Sequence, residues 1–219
     1  MTDDKALAAP KAQQPQRKPQ ARSLERRRAI LDATRKLLET NTVSEISLYQ
    51  VAEKAEIPPS SVYHFFPKVD ALLNTLVKEV FAEFDTILDQ PLKVENIGHW
   101  SDIMRQIQAR YIDYYQQHQY ARDLILGQHI VSAIHHADYL HDEQLGCRIR
   151  HFHEQFYQLP PLPEEYNIFA IALQIADKVY SISHQEFGNI TDTMAQEGIN
   201  ACLAYLRQYL PENMCLQNN

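Results

Sequence analysis

The chain has 219 residues, only 5 Gly and 3 Cys, and a formal net charge of −7. Average usage would supply about 15 Gly, so a Gly-rich phosphate loop or a dinucleotide fingerprint has little to be built from, and neither is found. Cys147, Cys202 and Cys215 are far apart and form neither a metal knuckle nor a disulfide framework; with a polar, proline-rich N-terminus and no run near the ~18 apolar residues of a membrane span, the expected compartment is the cytoplasm.

The net charge hides an asymmetry. Residues 1–68 carry 12 Lys and Arg against 8 Asp and Glu, whereas residues 69–219 carry 9 against 20. A basic head on an acidic body suggests that the head meets a polyanion.

Residues 1–21 are rich in Gln, Pro, Ala and Lys and read as a flexible basic arm, with Lys5, Lys11, Arg17 and Lys18 within it and Arg22 at its edge. Ile30, Leu31, Thr34, Leu37 and Leu38 then recur at helical spacing, which predicts a helix near 23–40. Ser47 and Gln50 have the capping-box form, opening a short helix to about Lys54 with Leu48, Val51 and Ala52 on its buried stripe. Pro58 and Pro59 suit a helix start, and a third helix runs to about Phe65 with Val62, Phe65 and Phe66 as anchors. Leu72 to Leu88 follow one unbroken stripe, a long helix over 69–89. Further helices are predicted near 99–118, 121–135, 139–158, 163–187 and 191–210. No segment alternates at period two, so the chain reads as all-α.

The two short helices at 47–54 and 59–65 make a helix-turn-helix, in which the second helix enters the DNA major groove. Ser60, Ser61, Tyr63 and His64 lie off the apolar anchors and carry hydrogen-bonding groups; Tyr49 and Gln50 lie on the preceding helix. Residues 30–73 resemble the N-terminal signature of the tetracycline-repressor (TetR) family, through Ser47, Leu48, Val51, Ala52, Ala55, Val62, Tyr63 and Phe66. The resemblance implies a DNA-binding domain over 22–68, contacting DNA through Ser47, Tyr49, Gln50, Pro58, Pro59, Ser60, Ser61, Tyr63, His64 and Lys68. It also implies a ligand-binding and dimerisation domain over 69–219, with 69–89 as the connecting helix. Three features depart from the family pattern. Glu56 stands where the turn usually has Gly, Pro58-Pro59 replace the usual polar opening, and Lys68 sits one position before the usual Lys.

Rich aromatic content after Pro91 suits an apolar pocket for a lipophilic or aromatic effector. Its predicted lining is Met104, Tyr111, Ile125, Phe152, Phe156, Ala176 and Tyr180, with His129 and His184 as polar contacts. Apolar faces at Ile168, Ile171, Ala172, Ile175 and Val179, and at Ile199, Cys202, Leu203, Leu206 and Leu210, predict a four-helix homodimer interface. His135, His136 and His141 near Asp138 and Asp142 raise a metal-sensing alternative, and Cys147 a redox one. His151 and His153 do not share a helix face, and Cys147 reads as an inert buried thiol. No metal site and no cofactor are predicted. A helical enzyme lacks any nucleophile, zincin or di-iron motif. The sequence therefore predicts a homodimeric regulator, read as a repressor, that leaves a palindromic double-stranded operator when a small-molecule effector binds.

Overall fold

The computed structural model describes residues 17–127 and 132–217. Among them are nine α-helices: α1 (Arg17–Leu38), α2 (Leu48–Lys54), α3 (Pro59–Phe65), α4 (Val69–Leu88), α5 (Trp100–Gln117), α6 (Gln119–Ile125), α7 (Ser132–Phe156), α8 (Ile168–Phe187) and α9 (Asp192–Leu206). The only β-type pairing among the described residues is an isolated bridge between Tyr157 and Leu216.

The head is α1 to α3 packed on the first half of α4. Ile30, Leu38, Val51, Val62 and Leu72 are fully buried together. Local chemistry sets its elements. The Ser47 hydroxyl accepts from the Gln50 N–H (3.3 Å), and the Gln50 side-chain oxygen accepts from the Ser47 N–H (3.0 Å), so α2 starts where the capping box places it. Glu56 has φ 55°, the left-handed conformation that glycine usually takes in this turn. A side chain there costs on the order of 1 kcal/mol. The turn holds because the Ile57 N–H donates to the Ala52 carbonyl (3.0 Å).

The structure differs from the sequence reading in several places. α1 begins at Arg17, so the last residues of the predicted arm are helical; Lys5 and Lys11 lie outside the described residues. The helix predicted over 121–135 is not continuous. α6 ends at Ile125 and is capped at Leu126, and Gly127, the least helix-favouring residue after proline, follows. α7 runs without a break through Asp138–Leu140, because Tyr139 and Leu140 lie on its exposed face and only interrupt the apolar stripe. α8 begins at Ile168 and not at Pro163, since the Asn167 side chain accepts from the N–H groups of Phe169 (3.0 Å) and Ala170 (3.2 Å).

α8 and α9 form the most extensive helix pairing among the described residues. Gly198 makes it possible, because a Cβ there would overlap the Tyr180 ring. Ile199, Cys202, Leu203, Leu206 and Leu210 are buried inside the chain itself. The sequence placed them on a partner-facing surface; an apolar stripe does not distinguish packing within a chain from packing between chains. Ile171, Ile175 and Val179 remain half-buried on α8, and Ile182 is exposed.

Among the described residues, two contacts join head and body. One is α4 itself, whose C-terminus is held by Arg110 donating to the carbonyls of Gln90 and Pro91, both at 2.8 Å. The other was not foreseen: the end of α1 meets α6. The Arg35 guanidinium pairs with Glu79 and lies 5.6 Å from the Tyr120 ring centroid, and Gln119 donates to the Leu38 carbonyl (3.4 Å).

Candidate nucleic-acid interface and the polar interior of the body

The outer surface of the helix-turn-helix carries most of the residues predicted to read DNA. Pro58, Pro59, Ser60 and His64 are exposed and Ser61 is half-buried, while Val62 and Phe66 anchor α3 beneath them. Tyr49 and Tyr63 are 65% and 51% exposed, unusual for rings that size, and they project from adjacent helices. Lys68 is exposed at the N-cap of α4. Ser47 and Gln50 differ from the rest. Both are half-buried and committed to each other, the Ser47 hydroxyl donating to the Gln50 oxygen at 2.7 Å. Gln50 keeps only its amide N–H groups for a partner. Arg22, Arg26, Arg27 and Arg28 are exposed on α1 and extend the basic surface.

The effector residues predicted from sequence fall into separate groups. Met104, Ala176 and Tyr180 are fully buried core. The Tyr180 hydroxyl donates to the Gln108 side-chain oxygen (2.9 Å), and its ring faces Gly198 of α9. Phe152 and Phe156 are half-buried near the C-terminus of α7, more than two turns beyond Asp142. Tyr111, Ile125 and His184 lie toward the junction of α5, α6 and α8, where His184 Nε2 is 2.9 Å from Asp123 Oδ1. His129 lies outside the described residues.

Charge and aromatic rings converge at that junction. α7 contributes His141 and Asp142, which are 6% and 5% exposed. His141 stacks on Phe81, with centroids 4.2 Å apart, and its Nε2 is 3.7 Å from Asp85 Oδ1. Burial lowers its pKa despite that carboxylate. The Asp142 carboxyl is raised well above the usual range by burial, and then by Asp177 and Asp138. Asp177, on α8, is raised in the same direction by burial and by Asp138. Tyr111 and Tyr115 of α5 feel these carboxyls, and both phenols are held up chiefly by burial. Phe84 links them, its ring 5.1 Å from Tyr111 and 5.3 Å from Tyr115. Arg148 stands beside this group but is engaged by Asp85 (2.5 Å) and Asp89.

Asp142 and Asp177 were missed as site residues. The available signal was Asp138 and Asp142 one turn apart on α7, with Gln174 and Asp177 interrupting the most apolar stretch of the body. The metal and redox candidates are dispersed. His136 and His151 are exposed, His141 and His153 are buried, and the His135 side chain lies outside the description. No group of three or more His, Cys, Asp or Glu among the described residues is placed to hold a metal ion. Cys147 is exposed, not buried as predicted, because it faces away from Leu145 and Ile149 on α7.

The chain has the fold of the TetR-family transcriptional regulators. No protein-family model and no curated protein matches the chain. Solved structures do. A TetR-family regulator from Streptomyces coelicolor superposes with TM-score 0.62 at 19% identity, covering 85% of this chain and 98% of that one. The flavonoid-responsive regulator FrrA matches with TM-score 0.54 at 16% identity, over 86% of this chain and 99% of that one. The SmeT–triclosan complex matches with TM-score 0.54 at 14% identity, over 86% and 93%. No described helix is long and apolar enough to cross a membrane.

Proposed function

We propose that this chain is a cytoplasmic TetR-family transcriptional regulator, a homodimer that represses from a palindromic operator and releases it on binding a small aromatic or lipophilic effector. The observation that carries the reading is the outer face of the helix-turn-helix. Ser60, Tyr63 and His64 stand exposed on a seven-residue helix that Val62 and Phe66 clamp to the head. Such a face suits hydrogen bonding to base edges and phosphates in a major groove. Ser47, Tyr49, Gln50, Pro58, Pro59, Ser61 and Lys68 flank it.

The effector reading draws on the similar structures, of which one is flavonoid-responsive and one a triclosan complex. Tyr111, Ile125 and His184 remain the proposed contacts nearest the polar interior. Ligand can act only by favouring one head position over another, through α4 and through the α1–α6 contact together. Dimerisation is proposed through α8 and α9, with Ile171, Ile175, Val179 and Ile182 as the apolar row. Ile175→Arg places a charge in that row and yields monomers by sedimentation; an intact dimer moves the interface elsewhere.

The DNA test uses Tyr63→Phe and His64→Ala. Both sites are exposed, so stability shifts by less than about 0.5 kcal/mol. Together they weaken binding to a selected operator at least tenfold. Binding falls steeply with salt, each neutralised phosphate adding about −0.9 to the log–log slope. Unchanged affinity in the double variant, or a flat salt response, removes the recognition-helix assignment.

A further inference from the structure

We propose that the ligand of the body is an organic cation, seated between the carboxyls of Asp142 and Asp177 and the rings of Tyr111, Tyr115 and Phe84. This rests on the effector-responsive reading above and names the chemistry of its ligand.

Three independent features converge. Asp142 is 95% shielded from solvent by its 5% exposure, yet its Oδ2 has no hydrogen-bond partner. Tyr111 is 6% exposed, and its hydroxyl also lacks a partner. Buried polar atoms of this kind are normally satisfied, and each one left open marks a place where a ligand group or water completes the set. The third feature is charge. Neither Asp142 nor Asp177 forms an ion pair among the described residues, and the neighbouring cation, Arg148, is already held by Asp85 and Asp89. Asp177 is half-buried.

The cation is organic for two reasons. The carboxyls belong to no group of three or more His, Cys, Asp or Glu, among the described residues, that could hold a metal ion. The remaining wall is aromatic, with Phe84 packed between Tyr111 and Tyr115, and ring faces attract a diffuse positive charge.

Binding carries a proton signature. Asp142 faces Asp138, Glu143, Gln174 and Asp177, with Tyr111 and Tyr115 opposite; burial and mutual repulsion push the Asp142 and Asp177 carboxyls up, which favours their protonated form. An entering cation favours the carboxylate. The O–H bond of one carboxyl breaks, and its proton leaves to buffer as the ion pair forms.

The test is calorimetry of the intact chain with a series of phenylalkyl trimethylammonium ions and their neutral carbon-for-nitrogen isosteres, in two buffers of different ionisation heat. The expected result is at least tenfold tighter binding of the best cation than of its isostere, with proton release. Asp142→Asn and Asp177→Asn, checked for folding by thermal melts, each lower cation affinity tenfold or more and leave the isostere within about threefold. The proposal is overturned if no cation of the series binds, if isosteres bind as tightly, or if both Asn variants keep full cation affinity. Operator binding by the ligand-free chain, measured on the same preparation, reports separately on the regulator reading. Intact operator binding that only neutral compounds relieve retains that reading and removes the cation.

Discussion

In the head, the side chains of α3 that carry hydrogen-bonding groups face outward, over a core in which Val51, Val62 and Leu72 are fully buried. In the body the polar groups turn inward: Gln108, Arg122, His141, Asp142, His153 and Ser183 are all buried. The head is built to be touched from outside, and its interior only has to be stable. The body keeps charge and hydrogen-bonding capacity inside, where each unpaired group costs free energy. A fold tolerates that cost where a ligand or a conformational change recovers it.

The contrast breaks most sharply at low pH. His153 is fully buried, with its Nδ1–H donating to the Ile149 carbonyl (2.8 Å), and burial depresses its pKa from the usual 6.5 to about 4. A depressed pKa gives stability that is present above pH 6.5 and lost as pH falls toward 4. The shift corresponds to about 3 kcal/mol. As pH falls across that window, chemical denaturation therefore shows the wild type losing about 3 kcal/mol relative to His153→Leu, while the raised Asp142 and Asp177 carboxyls act in the opposite direction in both proteins. An identical slope in the variant would assign the acid sensitivity to other groups.

A smaller effect sharpens the view of the head. Ser47→Ala removes one half of the capping box and costs about 1 kcal/mol of head stability. It frees Gln50 from its partner. Operator affinity at a temperature where the variant is fully folded changes less than it does in the Tyr63→Phe, His64→Ala double variant. A larger loss in Ser47→Ala would show that Ser47 contacts DNA directly as well as capping α2.

The head was legible in the sequence because its determinants are local. Ser47 and Gln50 are three residues apart, Pro58-Pro59 mark a helix start, and Val62 and Phe66 lie one turn apart; each signal acts within a few residues. The boundaries of α2 and α3 follow from them. The body's determinants are tertiary. Whether Leu203 faces its own chain or a partner depends on how closely α8 approaches α9, which Gly198 decides by admitting the Tyr180 ring. Ala176 has the same character: small and apolar, it reads equally well as pocket lining or as core, and it is core. Asp177 read as an interruption of an apolar run, and only the positions of α5 and α7 show that its side chain faces Asp138 and Tyr115. The α1–α6 contact joins residues some 80 positions apart and left no mark on any periodicity.

The central claim is that the exposed face of α3 reads an operator as a symmetric pair. Selection of bound DNA from a random-sequence pool tests it most directly, with the wild-type chain and the Tyr63→Phe, His64→Ala variant run side by side. The account predicts that the wild type enriches one inverted repeat, that its half-sites are spaced for two heads on one DNA face, and that the variant loses or changes that sequence. Enrichment of no sequence, or of the same sequence with equal affinity by both proteins, would contradict it.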